Sequence, residues 1–368
     1  MSKLVSLLLC FSLIICILIL PVYATDTVSA RHAVLLECYS DTVVYGKNER
    51  IRAPMASTTK IMTAYIAVKY GELDETVIIP KEATNIEGSS VYLKEGERLT
   101  LLELVYALML ESANDASVAI AIAVCGDEAS FVNMMNSEAE KLGLTDTHFT
   151  NPHGLDNDEH YTTAYDLARL ADCAMNEPLF KKIASTQRWV IPGYDGGKRV
   201  LINHNKLLRY FDGAVGIKTG FTKRSGRCLV SCAERDGVRL ICVTLNAPSD
   251  WNDHKNLLSY GFGLFEGVTL AKAGAYTLSL NCVGGEKSSF LCANTDNITV
   301  TLEKGKSGKI RAVTEYDRML CAPIKKGDKV GRIAYYIDNE LIAECPLYSL
   351  ENVRSIKYKK SILERIFG

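Results

Sequence analysis

The chain has 368 residues, of which 48% are hydrophobic and 23% are charged, and these values exclude a disordered or fibrous protein. This length is sufficient for one large domain and a smaller one. The 42 basic and 43 acidic residues nearly cancel, so the net charge of −1 gives no electrostatic reason to expect a nucleic-acid partner.

The first 24 residues have the pattern of a secretory signal peptide. Lys3 precedes an apolar run that ends at Pro21, and the small residues before a cleavage point after Ala24 suit a signal peptidase. A retained N-terminal anchor is the alternative, because residues 4–20 approach the length of a membrane span. Both interpretations place the rest of the protein outside the cytoplasm.

The following 240 or so residues alternate between strand and helix patterns. Residues 32–46 predict a two-stranded hairpin around Ser40 and Asp41. Pro54 precedes a predicted helix at 57–70, and the segment 189–245 is strand-like. Other predicted helices, by the same 3.6-residue period, lie at 99–110, at 115–124 after a break at 111–114, at 129–142, at 163–176 and at 254–264.

Short alternating runs separated by turn residues fill 270–348 and predict a small all-β domain. The complete order predicts an α+β fold, in which an antiparallel sheet is flanked by helices and is followed by that β domain and a terminal amphipathic helix. The predicted boundaries are 1–24 for the signal peptide, 25–266 for the main domain, 267–348 for the β domain and 349–368 for the helix.

The stretch APMASTTKIM contains Ser57 and Lys60 three residues apart, just before an apolar run. On a helix these two side chains share a face, so the lysine amine can reach the serine hydroxyl. A neutral lysine can then remove the hydroxyl proton, which serine needs to become a nucleophile. An ordinary helix start with serine as the N-cap explains the same letters, and the stretch alone does not separate the two interpretations.

Two further short patterns follow in the chain. Ser112 and Asn114 form an S-x-N pattern at the break between two predicted helices, where a hydroxyl could relay a proton and an amide could bind a peptide group. Lys218-Thr219-Gly220 lies in a strand-like run, and it offers a cation and a hydroxyl to a carboxylate beside a glycine that leaves room for an extended peptide. Taken singly, the two patterns also fit an N-cap and a strand that ends in a turn.

The three patterns together, in this order, are those of serine β-lactamases and penicillin-binding proteins. The sequence most closely resembles the serine D-alanyl-D-alanine carboxypeptidases, which are low-molecular-mass penicillin-binding proteins. The resemblance covers nearly all of residues 30–350 and includes the blocks RAPMASTTKIMTAYIA, ESANDAS, NPHGLDNDEHYTTAYDLARLA, GAVGIKTGFT, LLSYGF, CAPIKKGDKVG and CPLYSL.

The resemblance implies a role for each matching residue. Ser57 becomes acylated, Lys60 is its general base and Ser112 completes the proton relay. The substrate-binding residues are Asn114 for the substrate amide, Lys218 and Thr219 for the terminal carboxylate, Gly220 in the same motif, and Phe221, whose backbone N–H forms the oxyanion hole with that of Ser57. The implied reaction removes the terminal D-alanine from peptidoglycan stem pentapeptides, and β-lactam antibiotics acylate the same serine.

The sequence departs from the family pattern at two positions near the carboxylate site. Relatives often have histidine after K-T-G, where this chain has Phe221. Relatives often carry an arginine on the segment after the last strand, whereas SDWNDHKN contains none. We therefore expect Lys218 to bind the carboxylate with less help than in those relatives.

Two other functions remain as alternatives. A β-lactamase needs a glutamate that places a deacylating water, and no E-x-x-L-N pattern occurs between Asn151 and Lys218. A non-catalytic wall-binding protein of the same fold is disfavoured because all three motifs are intact. A penicillin label on the protein would exclude this second alternative.

We predict no metal and no cofactor. The histidines lack the spacing of metal ligands. We interpret His153 as a residue that packs within a loop, and the acidic pair Asp156 and Asp158 as part of a solvated loop. Cysteines are scattered without C-x-x-C spacing, and three of them sit in apolar patterns typical of small core residues: Cys125, Cys173 and Cys242.

The predicted terminal helix at 349–368 combines an imperfect apolar side with five basic and two acidic residues. A basic amphipathic helix of this kind binds the interface of an anionic membrane, and packing on the β domain is the alternative. We therefore predict an exported protein held at the outer face of the cytoplasmic membrane, in the cell-wall space.

Overall fold

The computed structural model describes residues 28–356 of the chain. These residues form two compact units. The first comprises the chain up to Glu234 together with Leu240–Gly263, and the second comprises Arg235–Arg239 together with the chain from Leu264. The predicted signal peptide at 1–24 lies outside the described residues, and the predicted domain boundaries stay predictions.

The first unit contains a five-stranded sheet and two small hairpins. Its strands are β1 (His32–Glu37), β2 (Thr42–Lys47), β3 (Thr76–Ile78), β4 (Arg98–Thr100), β5 (Arg188–Pro192), β6 (Lys198–Ile202), β7 (Ala214–Thr222), β8 (Gly226–Arg235) and β9 (Val238–Leu245). The large sheet has the order β2-β1-β9-β8-β7, which places β7 at one edge. The β1–β2, β1–β9 and β7–β8 pairs are antiparallel, and β3–β4 and β5–β6 form the small hairpins.

Helices form the rest of the first unit. They are α1 (Lys60–Tyr70), α2 (Leu101–Leu110), α3 (Asn114–Cys125), α4 (Glu128–Lys141), α5 (Ala164–Met175), α6 (Pro178–Ser185), α7 (Leu207–Tyr210) and α8 (Asp250–Leu264), and a 3₁₀ turn, Ala56–Thr59, precedes α1. Together with the sheet they confirm the predicted α+β fold. The sequence analysis did not predict α6 or α7, and α8 begins four residues before its predicted start at 254.

The core of this unit is built around α1, α2 and the first part of α3, whose side chains are almost all buried. A capping box begins α2: the Thr100 hydroxyl accepts from the Glu103 N–H at 3.2 Å, and the Glu103 carboxylate accepts from the Thr100 N–H at 2.8 Å. The predicted break between α2 and α3 is present at residues 111–113. It lies in the buried part of the unit because both flanking helices do.

The second unit is an all-β domain, as predicted. Its strands are β10 (Phe265–Ala271), β11 (Thr277–Val283), β12 (Ser289–Ala293), β13 (Ile298–Glu303), β14 (Arg311–Glu315), β15 (Leu320–Cys321), β16 (Lys329–Ile337) and β17 (Glu340–Ser349). Six of them form a sheet of order β14-β16-β17-β12-β11-β15, and β10 pairs with β13. Alternate residues of these strands, such as Leu280 and Cys282, are buried against Ile333 and Leu347 in the domain's own core.

The prediction of a helix from residue 349 is wrong for residues 349–356, of which Ser349 is the last residue of β17. This segment is extended: Val353 forms a β-bridge with Ile324, and Ser355 forms one with Gly285. Val353 is 2% exposed and belongs to the core of the β domain. Its apolar side chain is therefore occupied by the domain, and the remainder of the predicted helix, 357–368, lies outside the described residues.

Two general properties of the described part of the chain bear on function. No single helix within residues 28–356 is long and apolar enough to cross a membrane, and α3 and α4 reach that length only as a pair bent by 84°. The ten cysteines in that range are not joined as disulfides. Cys242 is buried as predicted, whereas Cys125 and Cys173 are only partly buried.

Candidate active site

Ser57 and Lys60 are held together at the start of α1. Ser57 lies in the 3₁₀ turn rather than at an N-cap, and Lys60 is the first residue of the α-helix. The Lys60 Nζ donates to the Ser57 Oγ at 3.1 Å. Ala56, directly before Ser57, has a φ of 48°, a strained value for a residue other than glycine. The local backbone thus presents Ser57 in a geometry that an ordinary helix start does not require.

The Lys60 side chain is completely buried and has two further acceptors. Its Nζ donates to the Asn114 Oδ1 at 2.7 Å and to the backbone carbonyl of His153. Burial lowers the pKa of Lys60 well below its ordinary value, the nearby Lys218 charge lowers this pKa further, and Asp115 raises it. A lysine with a depressed pKa is neutral over a wider range of pH than a free lysine, and in that form it can act as a base.

Ser112 and Asn114 lie at the break between α2 and α3. Ser112 has a φ of 59°, so the chain turns sharply there, and Asn114 begins α3. The Asn114 side chain is bonded inside the protein at both ends, because its Oδ1 accepts from Lys60 and its Nδ2 donates to the Glu87 carbonyl. In this arrangement Asn114 orients the lysine amine.

The K-T-G motif lies on the edge strand β7, against the 3₁₀ turn. A Cβ atom built on Gly220 would lie 3.1 Å from the Ser57 N and 3.2 Å from the Thr58 N. Glycine therefore suits this position because the strand lies close to the backbone of the turn that carries Ser57. The sequence analysis had instead explained the glycine by the space that an extended peptide needs. Phe221, next along β7, is 65% exposed.

Lys218 is buried on the same strand, and its Nζ donates to the Thr219 carbonyl at 2.9 Å. Burial lowers the pKa of Lys218 to about 7. The Lys218 amine is consequently only partly protonated at neutral pH, and in its charged form it lowers further the pKa of Lys60, which burial already lowers.

A cavity of about 370 Å³ opens over Ser57. Five predicted residues line it: Ser57, Ser112, Thr219, Gly220 and Phe221. Lys60, Asn114 and Lys218 are buried behind the cavity wall. The sequence analysis did not identify the remaining lining residues, which are Ser89, His204, Lys206, Arg227, Cys228, Asp250 and Trp251.

Two loop features that the sequence analysis interpreted as passive are connected to the site. The His153 carbonyl binds Lys60, and burial lowers the pKa of the His153 ring to about 4. Asp156 accepts from the Thr222 hydroxyl at 2.9 Å, and Asp158 pairs with Arg224 at 2.6 Å, so this loop is tied to the end of β7. Backbone carbonyls carry no sequence signal, which is why the first contact could not be predicted. Within the described residues, no group of three His, Cys, Asp or Glu side chains is placed to hold a metal ion.

The fold and this serine–lysine site define the class of serine hydrolases that work through an acyl-enzyme. The family profile described as D-alanyl-D-alanine carboxypeptidase matches residues 21–249, and the one described as Penicillin-binding protein 5, C-terminal domain, matches residues 265–355. The chain belongs to the D-alanyl-D-alanine carboxypeptidase family.

Individual relatives agree with this membership. The chain is 30% identical to D-alanyl-D-alanine carboxypeptidase DacF of Bacillus subtilis over 92% of this chain and 89% of the relative. It is 34% identical to D-alanyl-D-alanine carboxypeptidase DacC of Escherichia coli over 89% of this chain and 85% of the relative. Among solved structures, it is similar to penicillin binding protein 5 from Haemophilus influenzae with a TM-score of 0.68 and 30% identity, covering 89% of this chain and 98% of that one.

Proposed function

We propose that this chain hydrolyses the terminal D-alanyl-D-alanine bond of peptidoglycan stem peptides by acylating Ser57. The observation that carries the proposal is the 3.1 Å contact between the Lys60 Nζ and the Ser57 Oγ, with the lysine completely buried. Neutral Lys60 takes the hydroxyl proton while the Ser57 oxygen attacks the carbonyl carbon of the penultimate D-alanine. The tetrahedral oxyanion is stabilised by the backbone N–H groups of Ser57 and Phe221.

Collapse of that intermediate breaks the peptide bond and releases D-alanine. The leaving amine takes a proton through Ser112, and the relay is supported by the fact that Ser112 lines the same cavity as Ser57. Water then attacks the acyl-enzyme, and the shortened stem peptide leaves with the free hydroxyl of Ser57 restored. A β-lactam opens its ring on the same serine and forms the corresponding acyl-enzyme.

Of the remaining predicted residues, one contacts the substrate and the other two act on Lys60, the general base. Thr219 lines the cavity and offers its hydroxyl to the substrate carboxylate. Lys218 lies behind the wall, where its charge adds to the larger effect of burial in lowering the pKa of Lys60. Asn114 holds the Lys60 amine at 2.7 Å, and any contact of this residue with the substrate amide requires its bond to Glu87 to open.

The protein is proposed to work outside the cytoplasm, at the outer face of the cytoplasmic membrane. The support is the sequence of the two ends: the apolar run at 4–20 before Ala24, and the segment 357–368, which holds four basic residues and one acidic residue among apolar ones. Such a segment favours the interface of an anionic membrane. The extended residues 350–356 are then part of the β domain, so the membrane-binding segment is shorter than the sequence analysis predicted.

Intact mass after incubation with penicillin, followed by release of D-alanine from diacetyl-lysyl-D-alanyl-D-alanine, tests the reaction. We expect one covalent adduct and D-alanine release for the wild type, and neither for Ser57→Ala. Ser279→Ala, at the other S-x-N sequence in the β domain, is the control and keeps both. A wild-type protein that forms no adduct and releases no D-alanine would overturn the proposal, and labelled Ser57→Ala would overturn the choice of nucleophile.

A further inference from the structure

A carboxypeptidase must distinguish a free terminal carboxylate from a continued chain, and this needs a cation that faces the cavity. Lys60 and Lys218 are both buried behind its wall. The pKa of each is lowered by burial, that of Lys218 to about 7. The Lys218 Nζ is also directed to the Thr219 carbonyl at 2.9 Å. The lysine of the K-T-G motif is therefore poorly placed to bind the carboxylate alone.

Arg227 is a cation on the cavity wall. It lies near the start of β8, directly opposite Phe221 of β7 in the antiparallel register. Because side chains alternate along a strand and opposite residues share a face, Arg227 lies on the same face as Phe221 and Thr219, whereas Lys218 points to the other face. Its side chain is 45% exposed, and it lines the same cavity as Ser57.

Asp250 holds the Arg227 guanidinium in place. The Arg227 Nη2 lies 2.9 Å from the Asp250 Oδ1, and the Asp250 side chain is only 4% exposed. The backbone supports the same contact, because the Ala247 N–H donates to the Arg227 carbonyl at 2.9 Å. A guanidinium has five N–H donors in a planar fork that matches a carboxylate, so one bond to Asp250 leaves donors for a second carboxylate.

We infer that Arg227 binds the terminal carboxylate of the substrate together with the Thr219 hydroxyl, and that Asp250 is its positioning residue. This inference rests on the proposed function and adds the residue that recognises the free terminal carboxylate of the substrate. It accounts for the absence of arginine in SDWNDHKN: that segment supplies Asp250, which orients an arginine that comes from β8 instead. The same guanidinium binds the carboxylate of penicillins.

The experiment compares two substrates on the same protein preparation. One is diacetyl-lysyl-D-alanyl-D-alanine, and the other is the same peptide with a terminal carboxamide, which removes the charge and keeps the scissile bond. Arg227→Gln should lower kcat/KM for the acid by about 10- to 100-fold, mainly through KM, because a hydrogen bond to a charged group is lost. The amide should be cleaved at the wild-type rate, so the acid-to-amide ratio falls towards one.

Further variants separate recognition of charge from a structural effect. A misfolded fraction lowers both rates equally and cancels in the ratio. Arg227→Lys should restore part of the preference for the acid, and Asp250→Asn should lower it through KM. Arg224→Gln is the matched control, because Arg224 lies on the same hairpin and pairs with one aspartate, Asp158, but does not line the cavity.

Two results would overturn the inference. The first is an unchanged acid-to-amide ratio in Arg227→Gln, either with both rates at the wild-type level or with both lowered equally, which indicates a structural role. The second is a collapse of the ratio in Lys206→Gln or Lys218→Gln while Arg227→Gln keeps it, which assigns the carboxylate to another cation. A wild type that neither binds penicillin nor cleaves the acid contradicts the proposed function instead.

Discussion

Substitution of Gly220 by alanine tests whether the K-T-G strand sets the geometry of the nucleophile turn. The added Cβ would lie 3.1 Å from the Ser57 N, 3.2 Å from the Ala56 Cβ and 3.2 Å from the Thr58 N. Since non-bonded carbon contacts are optimal at about 3.5–4.0 Å, the strand and the turn must separate by a few tenths of an ångström. The Ser57 N–H, the proposed oxyanion donor, is one of the groups that moves.

The expected loss is larger in catalysis than in stability. Complete removal of an oxyanion donor costs about 10²–10³-fold, so a displaced donor should slow penicillin acylation by about 10- to 100-fold. Overpacking costs about 1–3 kcal/mol, and the gain from replacing glycine in the unfolded chain offsets about 0.4–1 kcal/mol of this. Stopped-time intact-mass measurements give the acylation rate, and urea denaturation gives the free energy of unfolding.

Gly308→Ala is the matched control, because a Cβ at Gly308 meets nothing within 4 Å. We expect this variant to acylate at the wild-type rate. Equal acylation rates for Gly220→Ala and the wild type would refute the reasoning, since the turn would then tolerate the added atom without any displacement of the Ser57 N–H.

Three further predictions concern two buried titratable side chains and the C-terminal segment. Lys218→Gln removes a charge that lowers the pKa of Lys60, so the acidic limb of the acylation rate should move to higher pH; a limb that stays in place contradicts this coupling. Burial lowers the pKa of His254 from 6.5 to about 3, so the unfolded chain binds the proton at a higher pH than the folded chain does. The resulting contribution to stability is complete above pH 6.5 and is lost as the pH falls towards 3, by about 1.4 kcal/mol per pH unit. The free energy of unfolding from urea denaturation should therefore depend less steeply on pH in His254→Gln. Deletion of 357–368 from the signal-cleaved protein should release it from sedimented membranes with unchanged activity on small peptides, and continued sedimentation would place the anchor elsewhere.

The sequence determined the elements whose signal is local. The period of apolar residues predicted α1 to α5, and the capping pair Thr100 and Glu103 is a local signal for the start of α2. The alternation in 270–348 predicted an all-β domain because turn residues divide it into strands. The three motifs, read in order, led to the family that the comparisons confirm.

Elements whose signal is weak or not local were missed or misread. The helix α7 has only four residues, too few to show a period. Residues 350–356 have the apolar spacing of a helix, but Val353 is buried in the β domain and forms a β-bridge with Ile324, which is distant in sequence. Tertiary pairing decides such a segment because a short isolated helix gains little free energy in water.

Within the site, the sequence identified Ser57 and Lys60 as candidates but could not state their environment. Whether a lysine acts as a base depends on its burial and on the nearest charge, and both are set by residues far along the chain, such as Lys218. Arg227 carries no motif, and only the β7–β8 register and the packing of Asp250 bring it to the cavity. The sequence by itself determined which reactive groups this protein has. The tertiary structure decided which of them are neutral, which are charged and which face the substrate, because desolvation and charge–charge distances exist only in the folded chain.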